Sequence, residues 1–73
     1  MSETSTSNLS IDRMLRIIEL MSESGKPMRL NEIAESSGVS TSTAMRILNT
    51  LIEREYAKQN EETLLYSLTM KFL

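Results

Sequence analysis

The chain has 73 residues, a formal net charge of −2, and no histidine, cysteine or tryptophan. Without histidine and cysteine it lacks the commonest general base, the thiol nucleophile and the two commonest zinc ligands. Disulfide bonds are impossible, so a secreted scaffold held together by disulfides is excluded. The composition therefore argues against an enzyme. The acidic balance also argues against nucleic acid as a partner, because domains that bind nucleic acid are usually basic.

Nothing in the sequence resembles a signal peptide or a membrane span. Residues 1–9 are rich in Ser and Thr and contain one Glu, whereas a signal peptide has a basic start and an apolar stretch. The longest apolar runs are two or three residues, far short of the ~20 that a membrane helix needs. We predict a cytoplasmic domain with a disordered tail over residues 1–9, no cofactor, no metal ion and no membrane partner.

The first predicted helix begins at Ser10, a candidate N-cap, and ends before Gly25. Steps of about 100° per residue place its charged side chains on one side and most of its apolar side chains on the other. Leu20 is the exception, because it falls between Arg13 and Arg16 on the polar side. The broad apolar face consists of Ile11, Met14, Leu15, Ile17, Ile18 and Met21.

Residues 31–54 have the spacing of a helix-turn-helix. Asn31 is a possible N-cap for a short helix that ends at Gly38, and Ser40 can cap the helix that follows. The small side chain of Ala34 lets two helices cross closely, and Gly38 reverses the chain at positive φ without steric cost. A short helix, a short turn containing Gly and a second helix form the helix-turn-helix arrangement. Any other compact pair of packed helices is the weaker alternative.

A β-hairpin is predicted after the third helix. The segments 56–59 and 64–68 have the composition of strands and flank a polar stretch, so the hairpin spans about 56–68. The predicted fold is mainly α with a small β-hairpin, a three-helix winged helix-turn-helix over residues 10–69. An apolar segment, residues 70–73, follows it.

The third helix, residues 41–54, carries the most informative surface. From Gly38 to Thr50 its one charged residue is Arg46, whereas a solvated helix face more usually carries Glu/Lys pairs. Arg can contact guanine, Asn adenine, Ser and Thr bases or phosphates, and apolar groups thymine methyls. For Arg46 a phosphate contact is an equal alternative, and for Met45 the alternative is a surface filler. The predicted groove contacts are Ser42, Thr43, Met45, Arg46 and Asn49, and weaker candidates for phosphate are Thr41, Arg29 and Lys58.

These residues, in this order and spacing, resemble the N-terminal DNA-binding domain of the IclR family of bacterial transcription regulators. The resemblance covers residues 10–73. It rests on the first helix (IDRMLRIIEL), on Leu30 to Leu51 with its EIAE, SGV and STAMRIL segments, and on Tyr56 and the YSL segment of the hairpin.

The resemblance implies a repressor or activator that binds double-stranded DNA as a homodimer, with the third helix in the major groove of an inverted-repeat operator. It places helix 1 in the dimer interface, in agreement with the position of Leu20, and the interface residues are then Ile17, Leu20 and Met21. It also implies that residues 70–73 begin a linker to an effector-binding domain absent from this chain, through which a small-molecule effector would act.

The sequence departs from the family pattern at three turn positions. The family commonly has glycine where this chain has Glu55, and again near Leu64 and Thr69. A residue other than glycine at positive φ costs about 1 kcal/mol, so either the turns differ or the strain is tolerated. A basic residue often found near Thr41 is also missing. The alternative function is a winged-helix protein-interaction module that does not contact DNA, which the acidic charge balance favours.

Overall fold

The computed structural model describes residues 9–69, which form three helices followed by a two-stranded antiparallel hairpin. This architecture confirms the predicted three-helix winged helix-turn-helix. The predicted tail, except for Leu9, and the predicted linker segment 70–73 lie outside the described residues. No helix in the described part of the chain is long and apolar enough to cross a membrane. The elements are α1 (Leu9–Ser24), α2 (Leu30–Ser37), α3 (Thr41–Glu53), β1 (Ala57–Gln59) and β2 (Tyr66–Leu68).

Two predicted helix starts were displaced by one or two residues. α1 begins at Leu9, so Ser10 lies inside its first turn and is not the N-cap. Asn31, the predicted cap of α2, also lies within the helix, whose N-cap is Arg29. The Glu32 carboxylate accepts a hydrogen bond from the Arg29 backbone N–H at 3.2 Å. This reverse half of a capping box satisfies a donor at the start of the helix without an Asn, Ser or Asp cap.

The turn between α2 and α3 has the predicted geometry. Gly38 has a φ of 74°, in the left-handed region. The backbone N–H groups of Gly38 and Val39 donate to carbonyls at the end of α2 at 3.3 and 3.0 Å, which is the Schellman pattern. Ser40 caps α3, because its Oγ accepts a hydrogen bond from the Thr43 N–H at 3.2 Å. The turn is therefore fixed at both ends by the residues that sequence reasoning selected.

The core lies where the three helices meet the base of the hairpin. Each helix contributes one fully buried branched side chain: Ile17, Ile33 and Leu48. The buried polar residue among those described is Ser37, whose Oγ donates to the Ile33 carbonyl at 2.6 Å and is therefore satisfied. The other buried hydrophobic residues are Met21, Met28, Ala34, Ala44, Leu51, Ala57 and Tyr66.

α1 buries a narrower face than its sequence pattern predicts. Ile11 and Leu15 are 53% and 50% exposed, although both belong to the predicted apolar face. Leu20, predicted on the polar side, is half-buried and packs against the core. α1 has 16 residues and α2 has 8. At 1.5 Å per residue, α2 can therefore cover only part of α1, and burial concentrates on its C-terminal half.

Arg16 connects α1 to the helix-turn-helix. Its Nη1 donates to the Ser37 carbonyl at 3.4 Å, and its Nε lies 3.4 Å from the Asp12 carboxylate. No basic residue occurs in the last turn of α2 itself. Arg16 therefore supplies a positive charge where the α2 dipole is negative, and α1 helps to fix the turn before α3.

The hairpin is shorter than predicted, and Met28, in a segment whose sequence reads as a short extended piece, pairs with Tyr66 as a single-residue strand. β1 pairs with β2 in antiparallel register, and Met28 forms two backbone hydrogen bonds with Tyr66, at 2.9 and 2.8 Å. Leu64 and Leu65, predicted as strand residues, lie outside β2, and the turn before them is formed by residues 61–63. There, Asn60 Oδ1 accepts hydrogen bonds from the backbone N–H groups of Glu62 and Thr63 at 2.8 and 2.9 Å.

Among residues 9–69, two residues other than glycine have left-handed backbone conformations, Glu55 with φ 69° and Leu64 with φ 64°. Of the two alternatives left open by the sequence, the strained turn is the one present at both positions. At Glu55 a hydrogen bond stabilises the strained conformation, because the Thr69 hydroxyl donates to the Glu55 carbonyl at 2.7 Å. The Tyr56 N–H also donates to the Leu51 carbonyl at 2.8 Å, which closes the end of α3.

Candidate nucleic-acid interface

The outer face of α3 collects four of the five predicted groove contacts. Its inner face is fixed by the buried side chains of Ala44, Leu48 and Leu51. The helical period therefore turns the opposite side of the helix away from the core. Ser42, Met45, Arg46 and Asn49 are all exposed on this outer face.

The first turn of α3 carries a cluster of hydroxyl groups. Ser40 Oγ lies 3.3 Å from Ser42 Oγ and donates to Thr43 Oγ1 at 3.0 Å. Thr43 is half-buried and is occupied in this capping network, so its hydroxyl is less available than the exposed Ser42 hydroxyl. The first backbone N–H groups and the positive end of the helix dipole lie at the same place, which suits an anionic group.

The electrostatics of the α3 face depend on one residue. From Gly38 to Ile52 the single charged residue is Arg46. Within residues 9–69 its guanidinium makes no ion pair, and its backbone carbonyl accepts a hydrogen bond from the Thr50 hydroxyl at 3.1 Å. The nearest carboxylate on this side of α3 is Glu53, about two turns beyond Arg46 at the end of the helix. The exposed guanidinium of Arg46 can therefore offer its donors to an anionic or polar ligand.

A groove of about 410 Å³ lies between the start of α2, Met45 of α3 and the hairpin. It brings Arg29, a weaker phosphate candidate, beside Met45 of the predicted groove contacts. Sequence reasoning missed the other members of this groove, because their proximity depends on how the hairpin folds back beside α3. The one available signal was Leu64, an apolar residue next to a polar tip. The groove is lined by Arg29, Leu30, Asn31, Met45, Gln59, Thr63, Leu64 and Tyr66.

Two predicted phosphate candidates lie apart from this groove. Lys58 is exposed and lines a different cavity of about 580 Å³ with Pro27 and Ser67. Thr41 lines a crevice of about 460 Å³ with Glu35, whose carboxylate disfavours a phosphate there. The structure therefore brings Arg29 beside Met45 of α3, whereas Lys58 lies in a different cavity. Thr41 belongs to α3 itself but shares its crevice with Glu35.

The predicted dimer interface needs correction. Ile17 is 0% exposed and Met21 is 5% exposed, because both side chains belong to the core of their own domain. Neither has surface left for a second copy. Leu20 is half-buried and lines a surface crevice with Arg16 and other residues. The exposed large apolar side chains on the described surface of α1 are instead Ile11 and Leu15.

Three helices around a small core, a glycine-containing turn before an outward-facing polar helix, and a hairpin beside that helix define a winged helix-turn-helix domain. A family model for the IclR helix-turn-helix domain matches residues 10–61. The chain belongs to this family and is an IclR-type DNA-binding domain of the kind found in transcription regulators, which confirms the predicted resemblance.

Individual relatives agree with this assignment. The chain is 34% identical over 64 residues to the HTH-type transcriptional regulator XynR of Escherichia coli K12. The matched residues are 88% of this chain and 25% of XynR. Its fold matches the crystal structure of an IclR family transcriptional regulator from Brucella abortus with a TM-score of 0.82 at 21% identity, over 100% of this chain and 30% of that one. Pseudomonas aeruginosa HmgR matches with a TM-score of 0.68 at 26% identity, over 93% and 26% of the two chains. The chain thus spans about a quarter to a third of the length of these relatives.

Proposed function

We propose that this domain recognises a specific operator sequence by placing α3 in the major groove of double-stranded DNA. The observation that carries the proposal is the exposed outer face of α3, where Arg46 is the one charged residue until Glu53 at the C-terminal end of the helix. Arg46 and Asn49 have the donors and acceptors for base edges, and Met45 can contact a thymine methyl. Ser42 and the first N–H groups of α3 are suited to a phosphate.

The acidic net charge is compatible with this function because most of the exposed acids lie away from Ser42, Met45, Arg46 and Asn49. Exposed carboxylates occur on α1, on α2, at the end of α3 and at the hairpin tip, for example Glu19, Glu32, Glu53 and Glu61. With few cations facing the duplex, one copy releases few counterions, so its affinity is low and depends only shallowly on salt. Such a domain needs a second copy to bind an operator well.

A homodimer on an inverted repeat is part of the proposal. The α1 residues that support it are Ile11 and Leu15, which lie one turn apart and are about half exposed, with Leu20 as the remaining candidate from the sequence. Protein two-fold symmetry would then match the symmetry of the operator. Control of transcription by a small-molecule effector, as repressor or activator, would require a further domain beyond the described residues. A cytoplasmic location fits this role.

The first experiment is selection of duplexes from a random-sequence library with the 73-residue chain, followed by affinity measurement on the enriched duplex. We expect Arg46→Ala to weaken binding by about 1–3 kcal/mol if Arg46 reads a base. Arg13→Ala on α1 is the matched control, because it removes the same charge away from α3. Equal affinity of Arg46→Ala, Arg13→Ala and the unaltered chain would refute the proposed role of α3.

The second candidate function is a protein-interaction module, and the net charge of −2 favours it. Salt titration separates the two functions. Binding to DNA weakens as salt rises because counterions are released, whereas an apolar protein interface responds little. Failure to enrich any duplex at low salt would favour the protein-interaction function.

A further inference from the structure

Leu64, at the tip of the hairpin, occupies a conformation that is unfavourable in two respects. Its φ of 64° lies in the left-handed region, which a bulky side chain rarely adopts. Its side chain is also 60% exposed, more than any other large hydrophobic residue in the described part of the chain. Neither feature stabilises the domain. Backbone outliers of this kind concentrate at functional sites, where strain presents a side chain to a ligand.

The hydrogen bonds of the tip hold Leu64 in this conformation. The Leu64 N–H donates to the Asn60 carbonyl at 2.8 Å, and the Gln59 side-chain amide donates to the Leu64 carbonyl at 3.1 Å. The Asn60 side chain accepts two further backbone N–H groups, those of Glu62 and Thr63. The exposed leucine is therefore carried by an ordered turn, so little conformational entropy is lost when it makes a contact.

The position of Leu64 indicates what it can contact. Leu64 of the hairpin and Met45 of α3, another exposed hydrophobic residue, line the same groove. If α3 occupies a major groove, the sugar–phosphate strand bordering that groove enters this space, and the adjacent minor groove lies at the hairpin tip. Arg29, Asn31 and Gln59 line the same groove and can hydrogen-bond the phosphates.

The charge of the tip indicates the kind of contact. Glu61 and Glu62 are exposed there, and residues 59–69 contain no cation. A tip with two carboxylates repels phosphate, so ionic attraction cannot draw it to the duplex. An apolar side chain can still pack against the carbon atoms of deoxyribose, and apolar side chains are used in this way by proteins that bind the minor groove.

We propose that Leu64 is a DNA contact of the hairpin, packing its side chain on the deoxyribose wall of the minor groove next to the major groove that holds α3. This inference rests on the proposed function. Because the Leu64 contact is apolar, the hairpin adds affinity for DNA without making that affinity more dependent on salt.

The test compares Leu64→Ala and Leu64→Gly on the duplex enriched by the full chain. Both variants remove the leucine side chain, whereas only glycine relieves the left-handed backbone. We expect both to weaken binding about fivefold or more, on the scale of a partly buried leucine, with an unchanged salt slope. We also expect the glycine variant to melt at a higher temperature than the alanine variant. If Leu64 had a purely structural role, the more stable glycine variant would bind DNA more tightly than the alanine variant.

Two further variants complete the test. Leu65→Ala alters a half-buried leucine that lines the other cavity with Lys58, and we expect it to retain affinity while lowering the melting temperature. Leu64→Lys places a cation at the tip, and we expect the salt slope to steepen by about one if the tip lies at the duplex. Affinity of Leu64→Gly equal to that of the unaltered chain, or an unchanged slope for Leu64→Lys, would overturn the inference. If no duplex is enriched, the proposed function fails, and this inference fails with it.

Discussion

The turn at Gly38 and the turn at Leu64 have nearly the same backbone conformation, but the first has a residue without a side chain and the second has a bulky apolar one. Gly38 has φ 74° and Leu64 has φ 64°. The first joins the two helices of the helix-turn-helix and carries the residue that adopts this conformation without strain. The second closes the hairpin and carries a branched apolar residue that is mostly exposed.

The surroundings of the two turns explain the difference. The turn at Gly38 adjoins buried Ala34 and Ser37, and Arg16 reaches it from α1. A strained residue there would act on the whole domain, because three helices are fixed through this point. The hairpin tip has no core beneath it, so strain at Leu64 stays local. A small domain can therefore tolerate strain at the site where a side chain is to be presented.

The largest expected loss of stability comes from the core of the helix-turn-helix, and it should exceed the loss from the hairpin. Leu48 is fully buried in α3, and Leu48→Ala should lower the free energy of unfolding by about 2–5 kcal/mol, through lost burial and a cavity. Leu65→Ala, on a half-buried side chain of the hairpin, should cost less than half as much. Chemical denaturation of both variants measures this directly. Equal losses would mean that the hairpin is as strongly coupled to the core as α3 is.

The same contrast explains what the sequence could predict. The order of elements, the Gly38 turn and the Ser40 cap follow from local chemistry, because each depends on residues within one or two turns of helix. The outward position of Arg46 and Asn49 also follows from helical period alone. These features were predicted, and the structure has them.

The features that depend on tertiary packing were not predicted correctly. Ile17 and Met21 share the apolar face of α1 with Ile11 and Leu15, and sequence cannot tell which pair α2 covers. The structure buries the first pair, so the predicted dimer interface was wrong at Ile17 and Met21. The groove that unites Arg29, Met45 and Leu64 likewise depends on the angle between the hairpin and α3.

A second, smaller effect tests the conformation of the helix-turn-helix turn itself. Gly38→Ala should cost about 1–2 kcal/mol of stability, because alanine disfavours left-handed φ. An added Cβ would lie 3.7 Å from Arg16 Nη1, an ordinary contact, so backbone strain and not a clash is the expected cause. Gly25→Ala is the matched control, since Gly25 has φ 68° and an added Cβ would meet nothing within 4 Å.

Similar losses for the two glycine variants, measured by thermal or chemical denaturation, would assign the cost to the backbone alone. A much larger loss at Gly38 would show that the contact with Arg16 also matters. A negligible loss at Gly38 would contradict the comparison between the two turns, because it would mean that this turn, too, tolerates a strained residue.

The smallest expected effect compares the side chains that close each turn. Ser40→Ala removes the hydroxyl that accepts the Thr43 N–H, and it should cost about 1 kcal/mol, as loss of an N-cap usually does. Asn60→Ala removes an acceptor of two backbone N–H groups at the tip, but those groups are exposed and water can replace the amide oxygen. We therefore expect a smaller loss of global stability from Asn60→Ala. Hydrogen exchange should show faster amide exchange confined to the tip in Asn60→Ala, because the turn at the tip supports no other element. In Ser40→Ala the faster exchange should extend along the first turn of α3, because the Ser40 cap supports the helix proposed to read DNA.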